Sequence, residues 1–117
     1  AIGYADGWPR AAGEGRGHVL LHGRRAPVVG RVCMDQLLVD ATDTGAAVGD
    51  VATLIGADGP ERITAEEAAE AAGTIANELL CRIGPRVPRH RWSRRSAGRR
   101  FAAAASWNGL RCGASYG

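Results

Sequence analysis

Short apolar runs separated by turn residues fill the first half of the chain. His18–Leu21 and Ala26–Met34 are apolar and partly β-branched, and the glycine-containing link at residues 22–25 between them predicts a β-hairpin. Gln36–Thr42 and Val51–Ile55 alternate between apolar and polar positions, which predicts two further strands. Four closely spaced strands with short connections predict a mainly β fold, here a Greek-key-like β-barrel with one or two short helices.

Glycine-rich segments are predicted to form loops. Residues 11–17 and 56–60 lack periodicity and are rich in glycine, so each predicts a loop. Residues 13–17 have no strand before them and no helix after them, so they are not predicted to cradle a phosphate. The opening residues 1–10 are interpreted as starting at the end of a strand, and this abrupt start suggests a piece of a longer protein.

The hydrophobic period changes from that of a strand to that of a helix near Thr64. Thr64 and Glu67 have the spacing of a capping box, in which Thr64 accepts a hydrogen bond from the Glu67 N–H and Glu67 reaches back. Small apolar residues then recur with helical spacing, and Gly73 suits the left-handed position after a helix. A second, shorter helical turn is predicted over Ile75–Leu80. The apolar positions of the first helix are Ala65, Ala68, Ala69 and Ala72.

Composition limits the classes of protein that the chain can form. In 117 residues, 45% are hydrophobic and 23% are charged, which is typical of one small globular domain and not of a wholly disordered chain. No stretch approaches the ~20 apolar residues of a membrane span, and no basic-then-apolar leader opens the chain. We therefore expect a cytoplasmic protein with no membrane partner.

Cysteine and histidine spacing predicts neither a disulfide framework nor a metal site. The three cysteines lack paired spacing, and the three histidines lack the spacing of metal ligands. A chain without a disulfide framework suits the reducing cytosol. These residues are Cys33, Cys81, Cys112, His18, His22 and His90.

Charge is unevenly distributed along the chain. Residues 1–86 contain 8 Arg and 12 Asp or Glu, a net charge of −4, whereas residues 87–117 contain 7 Arg and no acid, a net charge of +7. We expect residues 90–117 to be a basic tail that is disordered or non-native, as out-of-frame translation of GC-rich DNA would produce. An alternative is a nucleic-acid-binding arm, with arginines on phosphates and Trp92 and Trp107 stacked on bases.

Three segments, in this order and spacing, resemble a known family. Residues 2–10 read Ile-Gly-Tyr-Ala-Asp-Gly-Trp-Pro-Arg, and residues 25–36 read Arg-Ala-Pro-Val-Val-Gly-Arg-Val-Cys-Met-Asp-Gln. Residues 63–89 run from Ile-Thr through Gly-Thr-Ile to Arg-Val-Pro-Arg. Together they resemble the C-terminal β domain of alanine racemase. We therefore expect one domain over residues 1–89, incomplete at its N-terminus, as a fragment that lacks the N-terminal barrel of that family.

The resemblance implies a pyridoxal-phosphate-dependent racemase that interconverts L- and D-alanine. In that family a lysine and a tyrosine on opposite faces of the substrate move the α-proton, and both would lie upstream of Ala1. All 15 basic residues here are arginine, so this chain cannot itself bind pyridoxal phosphate through a lysine amine. The family is a homodimer in which the β domain of one subunit closes the active site of the other. We expect this chain to supply pocket residues to a partner subunit and to be inactive alone.

Tyr4 and Met34 match substrate-binding positions of the family. Tyr4 matches a tyrosine that lines the substrate pocket, where its phenol can donate a hydrogen bond near the substrate carboxylate. Met34 matches the position whose backbone N–H binds that carboxylate. Without the resemblance, Tyr4 would be interpreted as anchoring a strand end, and Cys33 and Met34 as an ordinary buried strand segment.

Five further positions match the pocket, its entrance or a cofactor contact. Cys33 matches a pocket position, and Arg31 and Asp35 match polar residues near the entrance corridor, the alternative being a surface ion pair. Ile75 matches an apolar residue at the inner gate, the alternative being helix packing. Asn77 stands where the family commonly has a tyrosine whose hydroxyl contacts the cofactor phosphate, so we predict weaker phosphate anchoring, or a bridging water, in the full protein.

Two other functions stay open from the sequence. Racemases of the same fold that act on serine share this domain, so the sequence does not separate alanine from serine. A free-standing small β-barrel whose basic tail binds DNA or RNA would show salt-sensitive binding that is lost without residues 90–117.

Overall fold

The computed structural model describes residues 1–90, in which short strands lead into two helices. Except for His90, the predicted basic tail lies outside the described residues, and so do Trp92 and Trp107. The predicted mainly β fold with short helices is confirmed. The elements are β1 (His18–Leu21), β2 (Arg24–Val29), β3 (Leu38–Val39), β4 (Gly56–Asp58), β5 (Glu61–Ile63), α1 (Ala65–Ala71) and α2 (Ala76–Arg82), and the 3₁₀ turns Tyr4–Asp6 and Arg10–Ala12 precede them.

The first sheet has the antiparallel order β1-β2-β3 and contains the predicted hairpin. A two-residue turn joins β1 to β2, with φ of 49° at His22 and 72° at Gly23. Positive φ at both turn positions matches the twist of the flanking strands, which explains why a glycine stands here. Val19 pairs with Ala26, so the register places small and β-branched side chains opposite each other.

Two predicted strands are shorter in the structure. β2 ends at Val29, five residues before the predicted end, because the chain turns at Gly30 and sends Val32 into the core. The predicted strand Gln36–Thr42 is reduced to β3, since the Asp40 carboxylate accepts the Thr42 N–H at 3.0 Å and closes a turn. Residues 31–36 are therefore a loop and not part of a strand.

The second sheet corrects two predictions. Val51–Ile55 is not a continuous strand, because only Thr53 pairs, as an isolated bridge to Leu20 with N···O distances of 2.8 and 2.9 Å. The predicted loop at residues 56–60 contains β4, which pairs with β5 in an antiparallel hairpin. Each of these strands is three residues long, too short to show alternation. The Asp58 carboxylate also accepts the Gly23 N–H at 3.0 Å, a contact between distant segments.

Both predicted helices form. Thr64 caps α1 by accepting the Glu67 N–H at 3.1 Å, and Gly73 adopts φ of 72° directly after the helix, as predicted. The Gly73 N–H bonds to the Glu70 carbonyl and the Thr74 N–H to the Ala69 carbonyl, which completes a Schellman motif. α2 ends at Arg82, two residues beyond the predicted Leu80. Among residues 1–90, neither helix is long and apolar enough to cross a membrane.

The main core joins the first sheet, the second sheet and both helices. Leu20 from β1 and Leu79 from α2 are fully buried in it. The opening segment, predicted to be a strand end, forms a 3₁₀ turn instead and carries Trp8 into this core. β1 is buried on both faces, since Val19 and Leu21 pack into a smaller cluster with Ala26. The other buried members of the main core are Ala12, Val28, Val32, Ile63, Ala68 and Ala69.

Candidate functional site

The first 3₁₀ turn lies directly against the loop of residues 33–36. The Tyr4 N–H donates to the Cys33 carbonyl at 3.0 Å, and the Ala5 N–H donates to the Met34 carbonyl at 2.9 Å. The approach is so close that a Cβ on Gly3 would lie 2.3 Å from both carbonyl oxygens. Backbone hydrogen bonds thus bring together Tyr4 and Met34, the two predicted substrate-binding residues.

Cys33 and Met34 are exposed in this loop. Met34 is 53% exposed, and the Cys33 side chain donates only a long 3.7 Å hydrogen bond to the Arg31 carbonyl. The interpretation of this pair as a buried strand segment is wrong, because the strand ends before it. Within residues 1–90 the Met34 N–H makes no hydrogen bond, so it is free to donate to a ligand.

Tyr4 belongs to a turn and not to a strand end. Its side chain is 38% exposed, and the Arg10 guanidinium lies 5.7 Å from the centre of its ring. Arg10 also donates to the Val32 carbonyl at 3.4 Å, which ties it to the start of the 33–36 loop. The Arg10 guanidinium therefore contacts both the Tyr4 ring and the residue that precedes the 33–36 loop.

Sequence reasoning missed a network around Asp6. The Asp6 side chain accepts the Gly3 N–H at 2.9 Å and pairs with Arg86 Nε at 3.2 Å. Arg86 Nη2 also donates to Asp35 at 2.6 Å, and this hydrogen bond, together with the Asp6 charge, raises the pKa of Arg86. Asp6 three residues after Gly3 has the spacing of an acid that reaches back to a turn's first N–H. The partnership with Arg86, 80 residues away, leaves no local signal in the sequence.

Arg31 lies on a separate, open cleft. Its Nε is 3.5 Å from the Glu14 carboxylate, and both side chains are exposed, so this is a surface ion pair. Arg10 and Arg16 line the same cleft, which therefore carries three guanidinium groups and one acid. Asp35 is likewise exposed in its ion pair with Arg86. Arg10 lines this cleft and also contacts the Tyr4 ring, so the cleft adjoins the region of Tyr4 and Met34.

Ile75 and Asn77 lie together at the start of α2. Ile75 occupies the N-cap position and is 67% exposed, so the alternative that it only packs in a helix interface is wrong. Asn77 is exposed, and its amide makes no hydrogen bond within the described part of the chain. No hydrogen bond or ion pair among residues 1–90 connects these two residues to Tyr4 or Met34. Ile75 and Asn77 therefore stand apart from the hydrogen-bonded region of Tyr4 and Met34.

A small cavity of about 30 Å³ lies elsewhere, between α1 and the segment before β1. Trp8 lines it, and the Trp8 Nε1–H is buried with no acceptor within residues 1–90. Its other lining residues include His18, Ile63 and Glu67, none of which belongs to the predicted site. The cavity is therefore separate from the Tyr4–Met34 region.

Comparison with protein families identifies this part of the chain. The family model described as alanine racemase, C-terminal domain, matches residues 1–91. An amino-acid racemase of Enterococcus faecalis is 55% identical over 87 residues, which are 74% of this chain and 12% of that protein. An alanine racemase of Methanococcus maripaludis is 52% identical over 89 residues, 75% of this chain and 23% of that protein.

Solved structures give the same fold. Alanine racemase from Bacillus anthracis with bound L-Ala-P superposes with a TM-score of 0.70 at 47% identity, over 76% of this chain and 22% of that chain. Alanine racemase from Bartonella henselae with covalently bound pyridoxal phosphate gives a TM-score of 0.67 at 39% identity, over 77% and 25% of the two chains. This chain thus spans a quarter or less of the length of these relatives. It belongs to the alanine racemase C-terminal domain family.

Proposed function

We propose that this chain is the C-terminal domain of a pyridoxal-phosphate-dependent racemase that interconverts L- and D-alanine. Two racemases that are 55% and 52% identical to this chain over the matched residues support this proposal. The observation that carries it is that Met34, which is 53% exposed and whose N–H has no hydrogen-bond partner within residues 1–90, lies on a loop bonded to the turn of Tyr4. In a homodimer, Met34 and Tyr4 line the pocket of the partner subunit.

Met34 and Tyr4 bind the substrate carboxylate in this proposal. A main-chain N–H donates to a carboxylate oxygen whatever its side chain, and the charge on the acceptor strengthens the hydrogen bond. The Tyr4 phenol supplies a second donor from the adjoining turn. Two backbone hydrogen bonds join the turn to the loop, so the backbone of Tyr4 stays close to that of Met34.

Other residues shape the approach to this pocket. Arg31 and Asp35 present opposite charges at the entrance, which suits an amino acid that carries both charges. Cys33 contributes a small soft surface beside the carboxylate, and Ile75 an apolar one at the inner gate. Neither Cys33 nor Ile75 is buried by residues 1–90, so both are open to contact with another part of the protein.

The residues of this chain can contact pyridoxal phosphate but cannot bind it covalently through a lysine. When bound, this cofactor withdraws electrons from the α-carbon of the attached amino acid, so that the α-proton can be removed. The chain has no lysine, so the amine that holds the cofactor comes from outside these 117 residues. Asn77 is exposed, and its amide, which has no hydrogen-bond partner among residues 1–90, can donate to a phosphate oxygen directly or through a water.

A second candidate substrate is serine. The Enterococcus faecalis relative is named an amino-acid racemase, which favours a substrate range wider than alanine for domains of this sequence. Alanine and serine therefore have to be compared on the same protein.

The test is a chimera in which residues 1–90 replace the matching C-terminal segment of the Bacillus anthracis racemase, here called the chimera. We expect the chimera to bind pyridoxal phosphate and to convert L-alanine to D-alanine, measured by chiral chromatography. The Bacillus protein truncated before the replaced segment is the control, and we expect it to be inactive. A folded, cofactor-loaded chimera that racemises neither alanine nor serine would refute the proposed function.

A further inference from the structure

We propose that Asp6 and Arg86 are positioning residues that hold Tyr4 and the Met34 N–H in the arrangement that binds the substrate carboxylate. Neither side chain is placed in contact with substrate. The inference rests on the proposed function, since it concerns the same pocket. It assigns a role in that pocket to the segment after α2, which supplies Arg86.

Asp6 fastens the turn that carries Tyr4. It is 7% exposed, and its two carboxylate oxygens have separate partners, the Gly3 N–H at 2.9 Å and Arg86 Nε at 3.2 Å. Its backbone carbonyl also accepts the Gly84 N–H at 2.9 Å. A buried carboxylate with every partner in place is rigid, because moving it would leave a buried charge unpaired.

Arg86 connects that turn to the loop that carries Met34. One guanidinium nitrogen binds Asp6 and another binds Asp35, the residue that follows Met34. The same arginine therefore joins both chain segments, two residues after Tyr4 and one residue after Met34. Its planar group fixes the two acids relative to each other in a way that a flexible ammonium cannot.

Packing at the end of α2 delivers Arg86 to this place. A Cβ on Gly7 would lie 1.8 Å from the Arg82 carbonyl oxygen, so the helix end rests directly on the Tyr4 turn. The chain then passes Gly84, whose N–H binds Asp6, and reaches Arg86 two residues later. This path places Arg86 beside the Tyr4 turn.

The contribution of Arg86 is expected to differ between its two ion pairs. Its pair with Asp35 is exposed, at 52% and 61%, and such pairs add little to the free energy of unfolding, whereas its pair with Asp6 keeps an acid whose side chain is only 10% exposed from losing its cation. Misplacement of a binding group by about 1 Å can also cost ~100-fold in rate or affinity. Loss of Arg86 should therefore lower the free energy of unfolding through Asp6 and weaken substrate binding through the displaced turn and loop, and Arg86→Lys, which keeps a positive charge near Asp6, separates the two effects.

The chimera tests this role with Arg86→Gln. We expect the KM for L-alanine to rise about tenfold while kcat changes less than about twofold, because a carboxylate contact made equally in ground and transition states acts on binding. Amide hydrogen exchange should become faster in peptides that cover residues 3–7 and 33–36, a change that does not depend on turnover. Arg86→Lys keeps the positive charge and one of the two acid partners, so its KM should lie between those of Arg86→Gln and the unmodified chimera. It also provides a comparison variant in which the buried Asp6 keeps a nearby cation.

Arg25→Gln is the matched control. It also removes an arginine that bridges two acids, Glu61 and Glu67, but at the junction of β2 with β5 and α1. We expect a lower melting temperature with an unchanged KM. In a double-mutant cycle, Arg86→Gln and Asp35→Asn should raise KM less together than the product of their separate effects, since they break the same contact.

Three outcomes would overturn the inference. They are a KM for Arg86→Gln within twofold of the unmodified chimera, hydrogen exchange unchanged at residues 3–7 and 33–36, or an equal rise in KM for Arg25→Gln. Failure of the proposed function is a different result, since the unmodified chimera would then lack racemase activity.

Discussion

At the scale of single residues, Asn77 bears on cofactor binding, and Gly3 and Gly7 bear on the packing of the first 3₁₀ turn. Asn77 departs from the tyrosine common in the family, and its amide is exposed and has no hydrogen-bond partner among the described residues. Gly3 and Gly7 matter for the opposite reason, since a single added carbon at either would meet a carbonyl oxygen at 2.3 or 1.8 Å. Close backbone approach explains these glycines, and nothing in the local pattern of apolar residues could have revealed it.

Asn77→Tyr in the chimera is expected to tighten cofactor binding. A phenol that donates to a phosphate oxygen adds a hydrogen bond to a charged group, worth about 1.5–3 kcal/mol, so the Kd for pyridoxal phosphate should fall at least about tenfold. Equilibrium dialysis of the cofactor measures this. Asn77→Phe, with the ring but no hydroxyl, is the control and should not tighten binding. An unchanged Kd for Asn77→Tyr would show that this position does not contact the phosphate.

Gly7→Ala is expected to destabilise the chain by more than about 2 kcal/mol. The residue has φ of 101°, and the new Cβ would overlap the Arg82 carbonyl, so the end of α2 would have to move. Gly15→Ala is the matched control, since Gly15 has φ of 79° but no atom within 4 Å of an added Cβ, and only the conformational cost of about 1 kcal/mol applies. Urea denaturation followed by circular dichroism compares the two. Equal losses would contradict the packing of α2 on this turn.

Elements formed by neighbouring residues were predictable, and those formed by distant contacts were not. The β1–β2 hairpin and α1 carry their own turn and cap residues, so the sequence predicts them within a few residues. The sequence predicts a loop where the β4–β5 hairpin forms, since its strands are too short to alternate and Asp58 fixes it through the distant Gly23 N–H. The same holds for the site. The family resemblance points to Tyr4 and Met34, but the contact between Asp6 and Arg86 joins residues that are far apart in the sequence and could not be predicted from it.

Arg25 is the main polar connection between the sheets and α1. Its guanidinium binds the Glu61 carboxylate at 3.0 Å, the Arg62 carbonyl at 2.7 Å, and Glu67 near the start of α1. The predicted capping box is therefore modified. Glu67 makes its principal hydrogen bonds to Arg25, and these lower the pKa of Glu67 more than the Thr64 backbone does.

Acid should weaken this connection. Because folding lowers the pKa of Glu67 below its ordinary value of 4.5, its stabilising effect is complete above that value and is lost as the pH falls through the lower folded pKa. Glu67→Gln should therefore lower the melting temperature at pH 7. Between pH 5 and pH 3, the melting temperature of Glu67→Gln should fall less than that of the unmodified chain. Circular dichroism melts measure both, with the exposed Glu70→Gln as control. An identical acid decrease in the unmodified chain and in Glu67→Gln would contradict this role.

At the scale of the whole domain, residues 1–90 leave several large apolar side chains exposed. Met34, Leu38 and Val51 are each more than half exposed, and Ile75 and Leu80 add to this surface from α2. Side chains of this kind mark places where other protein surface is expected to pack. In the proposed racemase, the barrel domain and the partner subunit provide that surface.

The 117-residue chain by itself is therefore expected to associate. A core of some 90 residues has little stability to spare, and exposed apolar side chains favour self-contact. Size-exclusion chromatography with light scattering should give a mass above that of the monomer of 12.2 kDa, increasing with concentration. The chimera, which supplies the matching surfaces, should not show this increase. A monomeric sample that melts cooperatively would mean that the exposed residues need no partner.

The most direct test is to incubate the isolated 117-residue chain with L-alanine and pyridoxal phosphate and measure D-alanine. Because the chain contains no lysine, we expect D-alanine to form no faster than in buffer with the cofactor alone. Turnover above that rate would contradict the claim that this chain completes an active site whose catalytic amine lies elsewhere.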